Sequence, residues 1–418
     1  MRKVYIYQIG CGTFGKYGFE KLLQLSKKYD FVEFEGIVEI NSERREFVKK
    51  KAEEYIAKLK IFDHTFEMYQ NAFKLREKGN IFVYDAGPSE LHYSHLLKSM
   101  KFGFWYLTEK PLALTKEEFE QELKLPKKWN CDFIEEENEA VLTAINYLKT
   151  NKLNINSIEI FRESSIGLQK ILGNSIRIGV EGGCLLDKLC HEIYVFSFLN
   201  ACGQKIKNIV LNKTKAEYLM IESLNKNNFL DIFGRVRNQI TEEIATAQCI
   251  VEGIAKTGKE EIPFKLHSSW LGASEMGERI SNKLKKLTNY EFVRKKQEER
   301  MEIPYEDLRL FVINCDTIVL YGDMKDKKLF VERYGKIEEI KLLKFKEDQL
   351  YRILERYVLV TAGKEKVKNM KNIKFIMNLI FDAEEKIQKN LRNKNKLREI
   401  RKTKNRVKEI INEFSITK

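Results

Sequence analysis

Along residues 1–136, short apolar runs rich in β-branched and aromatic side chains alternate with longer charged stretches whose apolar positions recur every three or four residues. The first kind fits buried strands, and the second fits helices laid on a sheet. Strands are predicted over 4–9, 32–39, 81–86, 104–108 and 130–134, with a weaker one at 60–62; helices are predicted over 42–59 and 89–100. Strands separated by helices imply a parallel, doubly wound α/β domain.

After one more helical run to about residue 149 the pattern changes. Runs at 155–162, 206–211, 217–221, 244–253, 264–270, 308–320 and 328–333 follow one another, interrupted by one conspicuous helix over 183–199. Strands in series with few crossover helices imply a second, mainly antiparallel, open sheet. Residues 345–418 return to helical spacing, and no fixed repeat is present. Three regions result: 1–136, 137–384 and a helical tail over 385–418.

Charge sharpens this division. The chain of 418 residues carries a net +14, and its last 34 residues hold 12 Lys or Arg against 4 Glu, a net +8. Ile400, Val407 and Phe414 recur at sevens with Leu397 and Ile411 beside them, the stripe of an amphipathic helix with a basic face. That tail lacks the interleaved aromatics of a stacking platform for nucleic acid, so its stripe is expected to pack on protein. The longest apolar run, 102–107, is far short of the ~18 residues of a membrane span. The N-terminus lacks a signal-peptide cleavage pattern. Seven scattered cysteines without a CxxC pair read as thiols of a reducing cytoplasm.

Three motifs carry chemistry. Gly10-Cys11-Gly12-Thr13-Phe14-Gly15 follows a predicted strand and opens a helix, the context in which a GxGxxG loop cradles a pyrophosphate on a helix N-terminus. Glu39, 24 residues after Gly15, stands where an acid accepts from ribose hydroxyls, which favours NAD; Arg44 and Arg45 leave NADP open. Thr108-Glu109-Lys110-Pro111 ends the fifth strand, on the ligand side of an open α/β sheet. Gly182-Gly183-Cys184-Leu185-Leu186-Asp187-Lys188-Leu189-Cys190-His191 enters the interrupting helix and sets Asp187 and His191 at i and i+4 on one face. A histidine beside a carboxylate suits proton transfer near neutral pH. A zinc reading of Cys184, Cys190 and His191 fits no common ligand spacing, so no metal is expected.

In this order and spacing the motifs resemble the Gfo/Idh/MocA family of glucose-fructose oxidoreductase-like and inositol dehydrogenase-like enzymes, over about residues 3–384. The resemblance extends to the Gly87-Pro88-Ser89 turn with His92. It implies a Rossmann dinucleotide-binding domain, then an α+β domain with a large open sheet that forms a homo-oligomer interface, and here a helical extension. It further implies hydride transfer between NAD or NADP and a sugar, polyol or nucleotide-sugar carbon. By position, Lys110, Asp187 and His191 match the catalytic residues. Gly10, Gly12, Thr13, Phe14, Gly15, Glu39, Pro88, His92 and Glu109 match the cofactor site. Asn138 and Arg177 are candidates for substrate contact. Lys188 and Cys190 flank positions where family members usually carry small or apolar residues, and the run Glu135-Glu136-Glu137-Asn138-Glu139 is unusually acidic, reading as a solvated helix start. A second reading, from a different class, is a non-catalytic dinucleotide sensor that uses the basic tail for a partner or nucleic acid.

Overall fold

The computed structural model describes residues 2–55, 59–131, 133–164, 183–201, 203, 205–221, 243–258, 260–269, 273–296, 305–367 and 370–391. They form two compact units, the first of residues 1–138 with 344–374 and the second of 139–343 with the rest of the chain.

The first unit alternates β1 (Lys3–Ile9), α1 (Thr13–Lys28), β2 (Val32–Val38), α2 (Ser42–Glu53), β3 (Lys60–Phe62), α3 (Thr65–Leu75), β4 (Gly79–Asp85), α4 (Ser89–Lys101), β5 (Trp105–Thr108), α5 (Lys116–Glu122) and β6 (Trp129–Cys131). The strands lie in the order β3-β2-β1-β4-β5-β6 and every pair is parallel. That is the doubly wound dinucleotide-binding order, which places ligands beyond the carboxyl ends of β1 and β4. Polar side chains fix helix starts: Asn41 accepts the Arg44 amide ahead of α2, and Thr115 accepts the Glu118 amide ahead of α5. The predicted helix over 42–59 stops at Glu53. The strand expected to reach 134 stops at Cys131, because 134–137 wind into a 3-10 turn.

In the second unit α6 (Glu139–Thr150), β7 (Ile155–Ser164), α7 (Gly183–Leu189) and α8 (Tyr194–Ala201) precede β8 (Asn208–Ile221), β9 (Glu243–Lys256) and β10 (Glu261–Ser269). Then come α9 (Glu275–Thr288), β11 (Arg294–Lys296), β12 (Tyr305–Cys315), β13 (Val319–Asp323), β14 (Lys328–Arg333) and β15 (Lys336–Glu339). The sheet order is β15-β14-β13-β12-β7-β10-β9-β8, with β11 paired to β12. Among these pairs only β7 and β10 run parallel. The run read as one strand over 308–320 is a hairpin, turned at 316–318, and the runs at 206–211 and 217–221 join in β8.

α9 was not expected. Its stripe, with Leu284 buried and Met276 and Ile280 beside it, packs on Phe161, Leu308, Leu310, Val312, Tyr321 and Phe330. The alternate residue Phe311 faces the other way, onto Tyr194 and Phe198 of α8. α9 therefore covers one face of the sheet across β7 and β12–β14.

Beyond β15 the chain forms α10 (Gln349–Thr361) and α11 (Lys371–Leu391). Leu350, Ile353, Leu354 and Val358 of α10 join the core of α1, β1 and β2, and Glu355 binds Lys28 at 2.6 Å. The linear division into 1–136 and 137–384 lacks this return. Its physical reason is the apolar face of α10, where each fully buried Leu or Ile contributes about 1.5–3 kcal/mol. The basic tail from residue 392 lies outside the described residues. No described helix is long and apolar enough to cross a membrane.

Candidate active site

The glycine turn is shaped by close backbone packing. Gly10 has φ +83°, and a Cβ there would lie 2.8 Å from the Ala86 carbonyl oxygen; one on Gly15 would lie 2.6 Å from the Gly10 oxygen. Gly12 is different. A Cβ there meets only Arg44 Nη1, at 3.9 Å, and no side chain caps the first turn of α1. Uncapped N–H groups facing open space are what a pyrophosphate requires. Thr13 and Phe14 open α1; Thr13 is exposed, whereas Phe14 leans on the core and on Tyr17. Glu39 is buried, with one oxygen 2.7 Å from the Cys11 amide and the other 2.9 Å from the Asn41 amide. Arg44 approaches the same carboxylate at 3.9 Å, and Arg45 pairs with Asp63. The turn can thus hold a dinucleotide diphosphate, and Glu39 is tied into it through the Cys11 amide.

At the ends of β4 and β5 a buried network organises the next two loops. Asp85, fully buried, accepts the Gly87 amide at 2.9 Å, His95 Nδ1 at 2.7 Å and the Tyr106 hydroxyl at 2.7 Å. Burial alone would raise its pKa; His95 and then the other donors hold it down to about 2. Glu109 receives the Tyr84 hydroxyl, and burial pushes its carboxyl well above the ordinary range. Pro88 caps the start of α4 backbone-wise and is half-buried. His92, expected in the cofactor site, instead directs both ring nitrogens at backbone carbonyls, of Pro111 at 3.1 Å and Gly87 at 3.2 Å.

The second unit carries the other motif. α7 presents Asp187, buried, and a 3-10 turn over 190–193 carries half-buried His191, so the helix predicted over 183–199 is broken between the two. Lys188 is buried between strand ends, donating to the Ser164 carbonyl at 3.0 Å and to that of Ser269. Burial lowers its pKa to about 7 despite the attraction of Asp187. Arg162 pairs with Glu192 at 2.8 Å, both buried. Arg177 lies outside the described residues.

The acidic run is not a solvated helix start. Glu135, Glu136, Glu137, Asn138 and Glu139 are all buried. Within the first unit Glu137 pairs with Arg356 at 2.5 Å and Arg352 at 3.5 Å. Within the second, Glu139 pairs with Lys327 at 3.0 Å. Charge burial is tolerated at Glu137 and Glu139 because each has a cation beside it.

Residues 5–136 match the family model described as the GFO_IDH_MocA oxidoreductase family, NAD-binding Rossmann fold. The matched stretch takes in the parallel sheet and the glycine turn of the first unit. No curated protein matches the chain by sequence. Solved structures of the same fold include an oxidoreductase domain protein from Kribbella flavida, at 13% identity and TM-score 0.62, covering 93% of this chain and 98% of that one. The UDP-N-acetylglucosamine 3-dehydrogenase of Acidithiobacillus ferrooxidans aligns at 13% identity and TM-score 0.56, covering 92% and 97%. The myo-inositol 2-dehydrogenase of Lactobacillus plantarum aligns at 12% identity and TM-score 0.58, covering 92% and 97%.

The matched domain brings Gly10, Gly12, Gly15 and Glu39 together at one turn, and it sets Glu109 and Lys110 in the loop after β5 against His92 in the first turn of α4. Asp187 and His191 belong to the second unit. Sequence reasoning missed Asp85, Tyr84 and Tyr106. Their signal is a polar residue closing a buried strand, as in Tyr84-Asp85. Among the described residues, no group of three or more His, Cys, Asp or Glu is placed to hold a metal ion.

Proposed function

We propose that the protein is an NAD(P)-dependent oxidoreductase acting on a carbinol or keto carbon of a sugar, polyol or nucleotide sugar. The observation that carries this reading is the glycine turn at the uncapped start of α1, open at Gly12 and flanked by Glu39, in a domain of an oxidoreductase family. Bound nicotinamide supplies the hydride acceptor or donor. In the oxidative direction His191 would accept the proton of the substrate hydroxyl as the carbinol carbon is oxidised to a carbonyl. Asp187 orients His191 or the substrate, and Lys110 donates a hydrogen bond to the oxygen on which negative charge develops. In reverse, the same groups protonate and polarise a ketone. The buried thiols Cys11, Cys131, Cys184, Cys190, Cys249 and Cys315 suit a reducing cytoplasm.

The test is a spectrophotometric screen of sugars, polyols and nucleotide sugars with each nicotinamide cofactor. On a substrate that turns over, Lys110→Ala and His191→Ala are expected to lower kcat by about 10²–10⁴-fold. NADH binding by fluorescence should stay near wild type. Undiminished turnover in both variants overturns the assignment.

A further inference from the structure

The loops that follow β4 and β5 are tied together by one side chain. His92 sits in the first turn of α4 at 2% exposure. Its Nδ1 lies 3.1 Å from the Pro111 carbonyl oxygen and its Nε2 lies 3.2 Å from that of Gly87. Both partners can only accept, so a ring with a proton on each nitrogen donates to both, and a neutral ring donates to one.

The surroundings hold the ring still. The Tyr106 hydroxyl lies 3.0 Å from the His92 carbonyl oxygen and 2.7 Å from Asp85 Oδ2, which also takes His95 Nδ1. Gly87 is fixed at its N–H by Asp85, and its carbonyl oxygen faces His92 Nε2. One residue before Lys110, the Glu109 amide donates to the Asp85 carbonyl at 2.9 Å. One residue after it, Pro111 is held by His92. Lys110 is therefore the one unit of chain between two anchored neighbours.

We propose that His92 is a positioning residue for Lys110, setting the Glu109-Lys110-Pro111 segment in register with the Gly87-Pro88 turn without touching the dinucleotide. The role for Lys110 rests on the function proposed above; the brace itself does not. His92→Phe fills the space without a donor, and His92→Gln keeps one.

Amide hydrogen exchange of the full-length protein separates the two claims. In His92→Phe, exchange at Glu109, Lys110, Leu112 and Ala113 should rise roughly five- to tenfold, the change brought by losing one buried hydrogen bond, with β1 and β2 unchanged; His92→Gln should recover part of the protection. On a working substrate, kcat in His92→Phe should fall about tenfold or more while KM for the dinucleotide moves less than about threefold, the pattern of a lost transition-state contact. Unchanged exchange in the 109–113 segment overturns the brace, whatever the enzyme's substrate. A rise in exchange with kcat unchanged overturns the positioning of Lys110. Increased exchange in a protein that turns over nothing in the screen supports the brace and sinks only the reaction assigned to it.

Discussion

The Glu39 carboxylate and the Cys11 backbone amide meet at 2.7 Å, so the acid beyond β2 is built into the glycine turn rather than set beside it. Its second oxygen holds the Asn41 amide at 2.9 Å, and the Arg44 guanidinium stands 3.9 Å away. A negative charge in that position repels a ribose 2′-phosphate, and the arginine next to it would attract one.

Removing the charge should therefore change which dinucleotide binds. Glu39→Ser is expected to shift the ratio of NADPH to NADH affinity toward NADPH by about tenfold or more, with Arg44→Ala in the same background reversing much of the gain. The variant should also lose about 1–3 kcal/mol of stability, because two backbone donors lose a charged acceptor. Calorimetric titration with each cofactor reads the first effect and urea unfolding the second. An unchanged affinity ratio contradicts a role for Glu39 in selection.

Asp85 makes the first unit sensitive to acid. Its carboxyl titrates at about 2 in the folded protein, against about 3.9 in an unfolded chain. The folded value is the lower one, so the stabilisation is complete above the unfolded value and is lost as pH falls from about 4 toward 2. The difference corresponds to roughly 2 kcal/mol. Asp85→Asn should lose this dependence and be destabilised at pH 7 by about 3–5 kcal/mol, since His95 and Tyr106 lose a buried anionic partner. Urea midpoints of both proteins between pH 3 and 7 provide the check; parallel curves would contradict the assignment.

How much of this was legible depended on whether the information was local. Strands β1, β2, β4 and β5 were readable because each is a compact apolar run closed by a turn residue, and Gly10 through Gly15 announce their own geometry. The return of α10 to the first unit was not, since Leu350 and Leu354 show an amphipathic face without naming the surface that α1 offers it. α9 was missed in a stretch dominated by strands, although Met276, Ile280 and Leu284 are spaced four apart. His92 was legible as a histidine near the cleft. Its partners, the carbonyls of Gly87 and Pro111, carry no side-chain signature. The acids over 135–139 read as solvated because Arg352, Arg356 and Lys327 lie some 190 to 220 residues away in sequence.

Glu122 should make the protein less stable as pH rises. It is fully buried at the end of α5, and neither carboxylate oxygen has a hydrogen-bond partner among the described residues. Burial, with Glu118 adding repulsion, pushes its pKa up to about 9. The folded value exceeds the unfolded one, so stability is full below about pH 4.5 and declines up to pH 9, by at most ~1.4 kcal/mol per pH unit. Glu122→Gln should flatten this part of the profile and raise Tm at pH 8. A variant whose Tm tracks wild type from pH 5 to 9 would show that the carboxyl ionises normally.

Lys188 should act in the opposite direction, through the second unit. Its amine is buried against the ends of the parallel pair β7 and β10, with the Ser164 and Ser269 carbonyls as acceptors. A neutral amine has two N–H groups, one for each carbonyl, and the third proton of the charged form adds a charge in a site closed to water. Burial accordingly lowers its pKa to about 7, against about 10.4 unfolded. Between those values the unfolded chain binds more protons than the folded one, so stability rises with pH from 7 to about 10.5. Below pH 7 both states are charged and the full penalty remains. Lys188→Met removes the penalty and also strands two carbonyls, at about 1–3 kcal/mol each. The advantage of wild type over Lys188→Met should therefore grow by up to ~1.4 kcal/mol per pH unit above pH 7, visible as diverging urea midpoints at pH 7, 8, 9 and 10. A constant difference would mean that Lys188 stays charged throughout and that the strand ends are held by an ammonium ion.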